Sequence, residues 1–452
     1  MAAVATPPGP KLSVTDRLLY RPGRNPLEFF TSIQRNYGDL AMYQMAGERI
    51  FLVSNPHHVK DILVTNNRNF VKSRGLERAK RLLGEGLLTS EDPLHLRQRR
   101  LMQPAFHRDR IAEYGRTMVD YAAAMRDDWT SGATLDVAQE MMQLTLSIAG
   151  KTLFDLDVAH QASEVGRALT EVMESFWTTM LPFVDLLEWM PIPQLRRGKA
   201  ARARLDSIIY TMIAERRAAG ASGNRGDLLS MLLMAQDEEA TEGQQRGMTD
   251  RQVRDEAMTI FLAGHETTAN ALTWTWYLVS QNKAVEGQLH GEIDRVLGGR
   301  LPTMADIPAL AYVERVVTEA MRLYPPAWII GRRAVAAYRI GDFIAPPRSI
   351  LVMSPYIIQR DARYYRDPER FDPDRWTAEF RAQLPRFAYF PFGGGPRQCI
   401  GESFAWMELI LVVATLAQRW SLALAPGHPV APQAVVTLRT KHGMRMVASR
   451  RN

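Results

Sequence analysis

Residues 392–401 read Phe392-Gly-Gly-Gly-Pro-Arg397-Gln-Cys399-Ile-Gly401, and an apolar run with helical spacing, Glu402–Gln418, begins on the next residue. Cys399 is the 1 cysteine among 452 residues. It has no partner for a disulfide, and alone it builds neither a zinc cluster nor an iron–sulfur cluster. An isolated intracellular cysteine is ordinarily a small buried hydrophobe, and the setting of this one argues otherwise. A glycine- and proline-rich loop opens onto a helix N-terminus, where peptide N–H groups and the helix dipole favour a negative sulfur. Gly395 and Gly401 are expected to remove side chains where a flat ligand approaches the backbone. Phe392 offers an aromatic wall and Arg397 a cation for a carboxylate. These are the requirements for holding a thiolate under a metal.

Outward from that loop, the chain is 46% hydrophobic and 23% charged, enough to bury a large core without cross-links. The charge balance, 56 basic minus 49 acidic residues, is +7. No dense Lys/Arg run carries this excess, so nucleic-acid binding is not indicated, and an acidic protein partner suits it equally well. Leu40–Met45 and Arg49–Ser54 flank Ala46-Gly47-Glu48 and read as a hairpin, after which Asn55-Pro56 opens a helix. From His95 to Leu323 the periodicity is mainly helical. Short strands are expected at Tyr338–Ile340, Phe343-Ile344, Ser349–Met353, Ala434–Leu438 and Met444–Ala448. Gly220–Gly226 and Gln236–Met248 read as surface loops. The expected fold is α+β and mainly α-helical, one domain over 1–452, with small sheets from both ends of the chain. Residues 1–35 are read as an N-terminal extension without a membrane anchor. A membrane span needs roughly twenty apolar residues, and Leu409–Ala417 is bounded by Glu408 and Arg419. A reducing, cytoplasmic location is expected.

Phe392, Gly395, Arg397, Cys399 and Gly401 fall at the spacing F-x-x-G-x-R-x-C-x-G. This stretch resembles the haem-binding loop of the cytochrome P450 superfamily, the haem-thiolate monooxygenases. The resemblance implies that Cys399 is the axial ligand of a haem b iron, pushing electron density toward the metal and favouring O–O cleavage.

Other segments resemble the family in ways that do not depend on the cysteine. Glu319-Ala-Met-Arg322 places an acid and a base on one helical face. Glu113/Arg116 and Glu292/Arg295 share that spacing, but only Glu319 is followed by Leu323-Tyr324-Pro325-Pro326 and by Phe371-Asp-Pro-Asp-Arg375-Trp376. The resemblance implies a structural cluster of Glu319, Arg322 and Arg375. Thr249 and Gln252 fit a capping box that opens a long helix running to about Gln281. Ala263-Gly264-His265-Glu266-Thr267-Thr268 interrupts its apolar pattern, and Thr267 is expected to bond the carbonyl of Ala263. The family pattern implies that Thr267 orients oxygen and that Glu266 belongs to a proton-delivery pair. His265 is read as structural, because no metal-ligand spacing accompanies it. The two carboxylates of the haem require buried partners. His95 and Arg99, at i and i+4, resemble one such element, and Arg332 (or Arg333, one position on) and Arg397 resemble others.

The function implied is oxygen insertion into a hydrophobic small molecule such as a fatty acid, terpenoid or macrolide, with O2 as co-substrate, in secondary metabolism. Thr259, Leu262, Ala263, Trp328, Ile330 and Trp177 are the candidate substrate contacts; Trp177 lies in an apolar group with Phe176, Met180, Leu181 and Phe183. Ordinary core packing explains that group equally well. With no nucleotide-binding glycine motif, electrons are expected from an acidic ferredoxin or flavodoxin and its NAD(P)H reductase, docking on Arg97, Arg100, Arg108 and Arg110 of a monomer. Alternatives are a peroxide-driven peroxygenase, disfavoured by the Glu266-Thr267 pair, and a non-catalytic haem sensor or electron carrier.

Overall fold

The computed structural model describes residues 6–12, 25–45, 47–156, 165–169, 171–172, 192–239, 241 and 245–451. Helices dominate, and one of them organises the rest. Asp250–Ser280 begins at a complete capping box: the Gln252 amide donates to Thr249 Oγ1 (3.1 Å), and Thr249 N donates back to Gln252 Oε1 (2.9 Å). This central helix is buried on nearly every side, packed against Val137–Phe154, Ala311–Leu323, Pro193–Ala218 and Glu402–Ala417. Phe154 and Phe261 stack at 3.8 Å and Trp274 and Tyr324 at 3.9 Å, fixing two of these contacts.

A five-stranded sheet lies beside the helices, in the order Leu40–Met45, Glu48–Val53, Ile350–Met353, Ile330–Ala334, Phe70–Lys72. The first pair is the expected hairpin, and Asn55 caps the following helix, Pro56–Lys60, through its side chain to His57 N (2.9 Å). Glu48–Val53 runs parallel to Ile350–Met353, with Ile50 opposite Ile350. In the antiparallel pairing of Phe70–Lys72 with Ile330–Ala334, Lys72 faces Arg332. Residues 26–35 belong to a helix, Pro26–Tyr37, whose Leu27, Phe30 and Ile33 pack in one cluster with Trp328.

Two strand expectations need correction. Ala434–Leu438 is not one strand: Pro432–Ala434 and Leu438–Thr440 pair with Ala434 opposite Leu438, and Val435-Val436-Thr437 makes the turn. Tertiary contacts override the β-propensity of this run, because the indole N–H groups of Trp328 and Trp274 take the carbonyls of Val435 (2.8 Å) and Leu438 (3.1 Å). The last strand is Arg445–Arg450, which joins Thr134–Asp136 and Trp420–Leu424. Among the described residues no helix is long and apolar enough to cross a membrane.

Candidate functional site

The cysteine loop is held by its own backbone. Cys399 N donates to Phe392 O (3.0 Å), and Arg99 donates to the carbonyl of Gln398 (2.7 Å). Gly395 adopts φ +72°, and a Cβ there would fall 2.0 Å from the carbonyl oxygen of Leu63. This glycine is therefore demanded by the turn and by the protein's own packing rather than by a flat ligand. At Gly401 (φ −88°) a Cβ would meet only the Phe106 ring, at 3.8 Å, so no protein atom requires glycine there. Cys399 is accessible to solvent, yet enough protein surrounds it that burial pushes its thiol up to about 11, against the opposing pull of the Gly401 N–H and the Arg99 charge. The Gly401 N–H at the helix start favours the negative sulfur, as expected, and without a bound metal desolvation opposes it. A sulfur both accessible and hemmed in lines a hollow.

The central helix also has an opening. Within a buried run, Ala263 is exposed and Gly264 and Thr267 half-exposed, and this helix packs on the one that Cys399 precedes. Thr267 Oγ1 donates to Ala263 O at 2.7 Å, the expected back-bond. Glu266 is buried, which pushes its carboxyl above the usual range, and Thr437 Oγ1 donates to its Oε1 at 2.6 Å. His265 is packed away with Nδ1 2.5 Å from Phe261 O, its ring held at about 4 by burial.

A basic pocket flanks the cysteine loop. Arg332 is buried, and its guanidinium donates to the carbonyl of Gly331 (3.1 Å). Lys72, opposite it in the sheet, is equally buried and donates to the carbonyls of Leu87 and Ser90, both at 2.7 Å. Arg397 donates to Ser90 O (3.1 Å) and to Glu91. Burial and mutual repulsion lower Lys72 to about 7 and Arg332 to about 10, and hold His95 at about 4. Like charges facing each other across two strands are destabilising, so this pocket is short of negative charge. Arg333, by strand alternation, points outward to Glu77 (3.2 Å), away from this pocket. Arg99 is engaged on the cysteine loop and not with this group.

Glu319, Arg322 and Arg375 do come together. Arg322 donates to both Glu319 oxygens (2.7 and 2.8 Å), Arg375 Nε to Oε1 (2.9 Å), Trp376 Nε1 to Oε2 (2.9 Å) and Asp372 N to Oε1 (3.0 Å). Glu319 and Arg322 are wholly inaccessible.

The cytochrome P450 family model matches residues 6–443. The chain belongs to the cytochrome P450 family. It is 40% identical to cyclooctatin synthase of Streptomyces melanosporofaciens, over 94% of this chain and 91% of that one. It is 37% identical to cyclooctat-9-en-7-ol 5-monooxygenase of the same organism (89% and 86% covered) and 33% identical to pentalenene oxygenase of Streptomyces avermitilis (94% and 92%). The solved cytochrome P450DA heme domain superposes with a TM-score of 0.89 at 26% identity, covering 99% of this chain and 98% of that one. This P450 is therefore a monooxygenase whose family uses haem-thiolate iron, O2 and redox partners.

Several candidate residues fall elsewhere than expected. Trp328 is core, 4% exposed, its ring 6.1 Å from Phe30 and its N–H on Val435, so it is not a pocket wall. Thr259 is sealed against Asp255 O (2.8 Å), and Leu262 is buried in the helical core. Ala263 keeps an open face, and Ile330 is half-buried beside Gly393. Trp177 and its apolar group lie outside the described residues. Arg97 and Arg100 are not free for a partner: Arg97 binds Asp237 (3.1 Å) and the carbonyls of Gln245, Arg246 and Gly247, and Arg100 binds Asp237 and Glu239. The side chains of Arg108 and Arg110 lie outside the described residues. Sequence reasoning missed Lys72, whose one signal is strand register opposite Arg332, and Thr437, which carries no local signal at all.

Proposed function

We propose that this P450 oxidises a terpenoid skeleton, inserting one oxygen atom of O2 at an unactivated carbon. Support for the substrate class comes from the relatives named cyclooctatin synthase, cyclooctat-9-en-7-ol 5-monooxygenase and pentalenene oxygenase. The site reading rests on one observation above the others: an accessible sulfur at Cys399 leads into a helix that packs on the central one, which is itself open at Ala263, Gly264 and Thr267. Haem b fits these residues. Cys399 would ligate its iron, and Arg332, Arg397, His95 and Lys72 would meet its carboxylates, supplying the negative charge the pocket lacks. Arg99 would stiffen the cysteine loop through Gln398, and Phe392 would form the wall beside it. When bound, the iron supplies oxygen activation.

The protein's own part is proton management and exclusion of water. Burial keeps Glu266 protonated to higher pH than an ordinary glutamate, which makes it a proton store. The Thr267 hydroxyl spends its one proton on Ala263 O, leaving its lone pairs as acceptors toward the open face. Electrons would come from an acidic ferredoxin or flavodoxin with its NAD(P)H reductase, in the cytoplasm, to a monomer. A groove lined by Arg386, Phe387, Phe392, Gln398, Glu402 and Trp406 is a better landing place than Arg97 and Arg100, since it borders the cysteine loop.

Titrating the loaded protein with cyclic terpenes and terpene alcohols, fatty acids and macrolides, and following the Soret band, tests the substrate class. Spectral binding confined to fatty acids or macrolides would overturn it. Cys399→Ser should abolish the red-shifted Soret band of the reduced carbon-monoxide adduct; its persistence would remove Cys399 as the ligand.

A further inference from the structure

The turn Val435–Thr437 joins Pro432–Ala434 to Leu438–Thr440, closed by Val435 N on Thr437 O (3.0 Å). It is pinned to the interior at several points: Trp328 on Val435 O, Leu438 N on Pro326 O (2.9 Å) and Trp274 on Leu438 O. This anchoring carries Thr437 to the central helix. There its hydroxyl lies 2.6 Å from Glu266 Oε1 and 3.1 Å from Asn270 Nδ2, one helical turn on. Glu266, Asn270 and Thr437 are all buried.

The triad has a defined polarity. Asn270 Nδ2 can only donate, so it occupies a lone pair of the Thr437 oxygen. The hydroxyl proton of Thr437 is directed to Oε1 of Glu266. While that bond is kept, Oε1 is an acceptor and a proton held by Glu266 sits on Oε2. The same hairpin brings a second influence: the Arg439 guanidinium, steadied on Gln433 Oε1 (3.1 Å), draws the Glu266 carboxyl down against the upward push of burial. A carboxyl left to burial alone would hold its proton too tightly to pass it on.

We propose that Thr437 is a positioning residue for Glu266, oriented by Asn270, which reserves Oε1 as an acceptor and leaves Oε2 to carry the transferable proton. This inference rests on the reading of Glu266 as the proton-delivery carboxyl and names the part of the chain, the C-terminal hairpin, that makes that reading work. A turn far along the sequence thereby becomes part of the proton machinery of the central helix.

The test uses the infrared C=O stretch of protonated Glu266 in the ligand-free protein, identified by its loss in Glu266→Gln, together with product formed per NADPH in the loaded enzyme. Thr437→Val should shift the band and tighten the carboxyl's hold on its proton about tenfold, the effect of one buried charge-assisted hydrogen bond. Coupling should fall about three- to tenfold, with KM for the organic substrate unchanged, and Thr437→Ser should restore both. An unmoved band and unchanged coupling in Thr437→Val would overturn the proposal. If Thr437→Val does not fold, Asn270→Leu reads the same triad from the helix: it frees the hydroxyl to turn, and an unmoved band there is equally fatal. Should Glu266→Gln itself leave coupling intact, the proton-delivery reading falls. Should Glu266→Gln uncouple while Thr437→Val does not, only the present inference falls.

Discussion

Two buried, arginine-rich groups in this P450 are built on opposite principles. Around Glu319, one carboxylate takes bonds from Arg322, Arg375, Trp376 and the Asp372 amide, while Arg322 spends its remaining N–H groups on the carbonyls of Gln359, Pro368 and Arg370. Around Arg332, by contrast, Lys72 faces it across the sheet and Arg397 repels it through space. Glu91 answers Arg397 and the Lys72 amide, and no described carboxylate touches Arg332. The first group is complete within the chain and serves the scaffold. On the reading proposed above, the carboxylates of the haem complete the second. Satisfaction of hydrogen bonds, rather than burial or charge content, separates a structural cluster from a binding site.

This contrast is open to attack by substitution. The largest effect is expected at Glu319→Gln, which strands Arg322 and Arg375 without a counter-charge and should cost about 3–5 kcal/mol. Denaturant unfolding should reveal equal losses with and without haem; a loss confined to the loaded form would break the contrast. Next comes Arg332→Met. It should leave the ligand-free protein as stable as before, or more so, and speed haem loss to an excess of apo-acceptor protein about tenfold to a hundredfold, since one charge-assisted bond to the ligand disappears. If instead the ligand-free protein unfolds more easily, Arg332 is a scaffold residue like Arg322.

A subtler effect concerns pH. Burial lowers Lys72 to about 7 in the folded chain, below the ordinary lysine value. Between pH 7 and the unfolded value the unfolded chain binds more protons, so ligand-free stability should rise with pH through that window and be poorest below it. Lys72→Met should flatten the slope, and so should haem, whose carboxylates would favour the charged amine. A ligand-free stability that falls over this range would sink the argument. The smallest effect on function is expected at Arg97→Gln, which breaks the pair with Asp237 and the bonds to the carbonyls of Gln245, Arg246 and Gly247. Stability should fall by about 1–3 kcal/mol, but steady-state KM for the electron donor should change by less than about twofold; a large rise would return Arg97 to the docking surface.

Much of this was written locally. The capping box at Thr249 and Gln252, the hairpin from Leu40 and the cap at Asn55 each depend on residues within a few positions of one another, and the structure has them where local rules place them. The Glu319 group spans a longer interval, but its flanking proline and tryptophan motifs distinguish it from Glu113/Arg116 and Glu292/Arg295. Local rules failed where distant segments decided the outcome. Val435-Val436-Thr437 has strand composition but turns, because two tryptophans from elsewhere hold the carbonyls beside it. Arg97 and Arg100 look like free surface cations until Asp237, Glu239 and the carbonyls of residues 245–247 reach them.

The sequence by itself determined the cysteine loop, the long helix with its Glu266-Thr267 interruption and the family to which the chain belongs, since each of these lies in a short run of residues. Only the tertiary structure decided that Lys72 stands against Arg332, that Trp328 is core and that Thr437 holds Glu266. The reason is physical. Whether a buried polar group is satisfied depends on what the fold brings to it, and for Glu266 that partner stands 171 positions away.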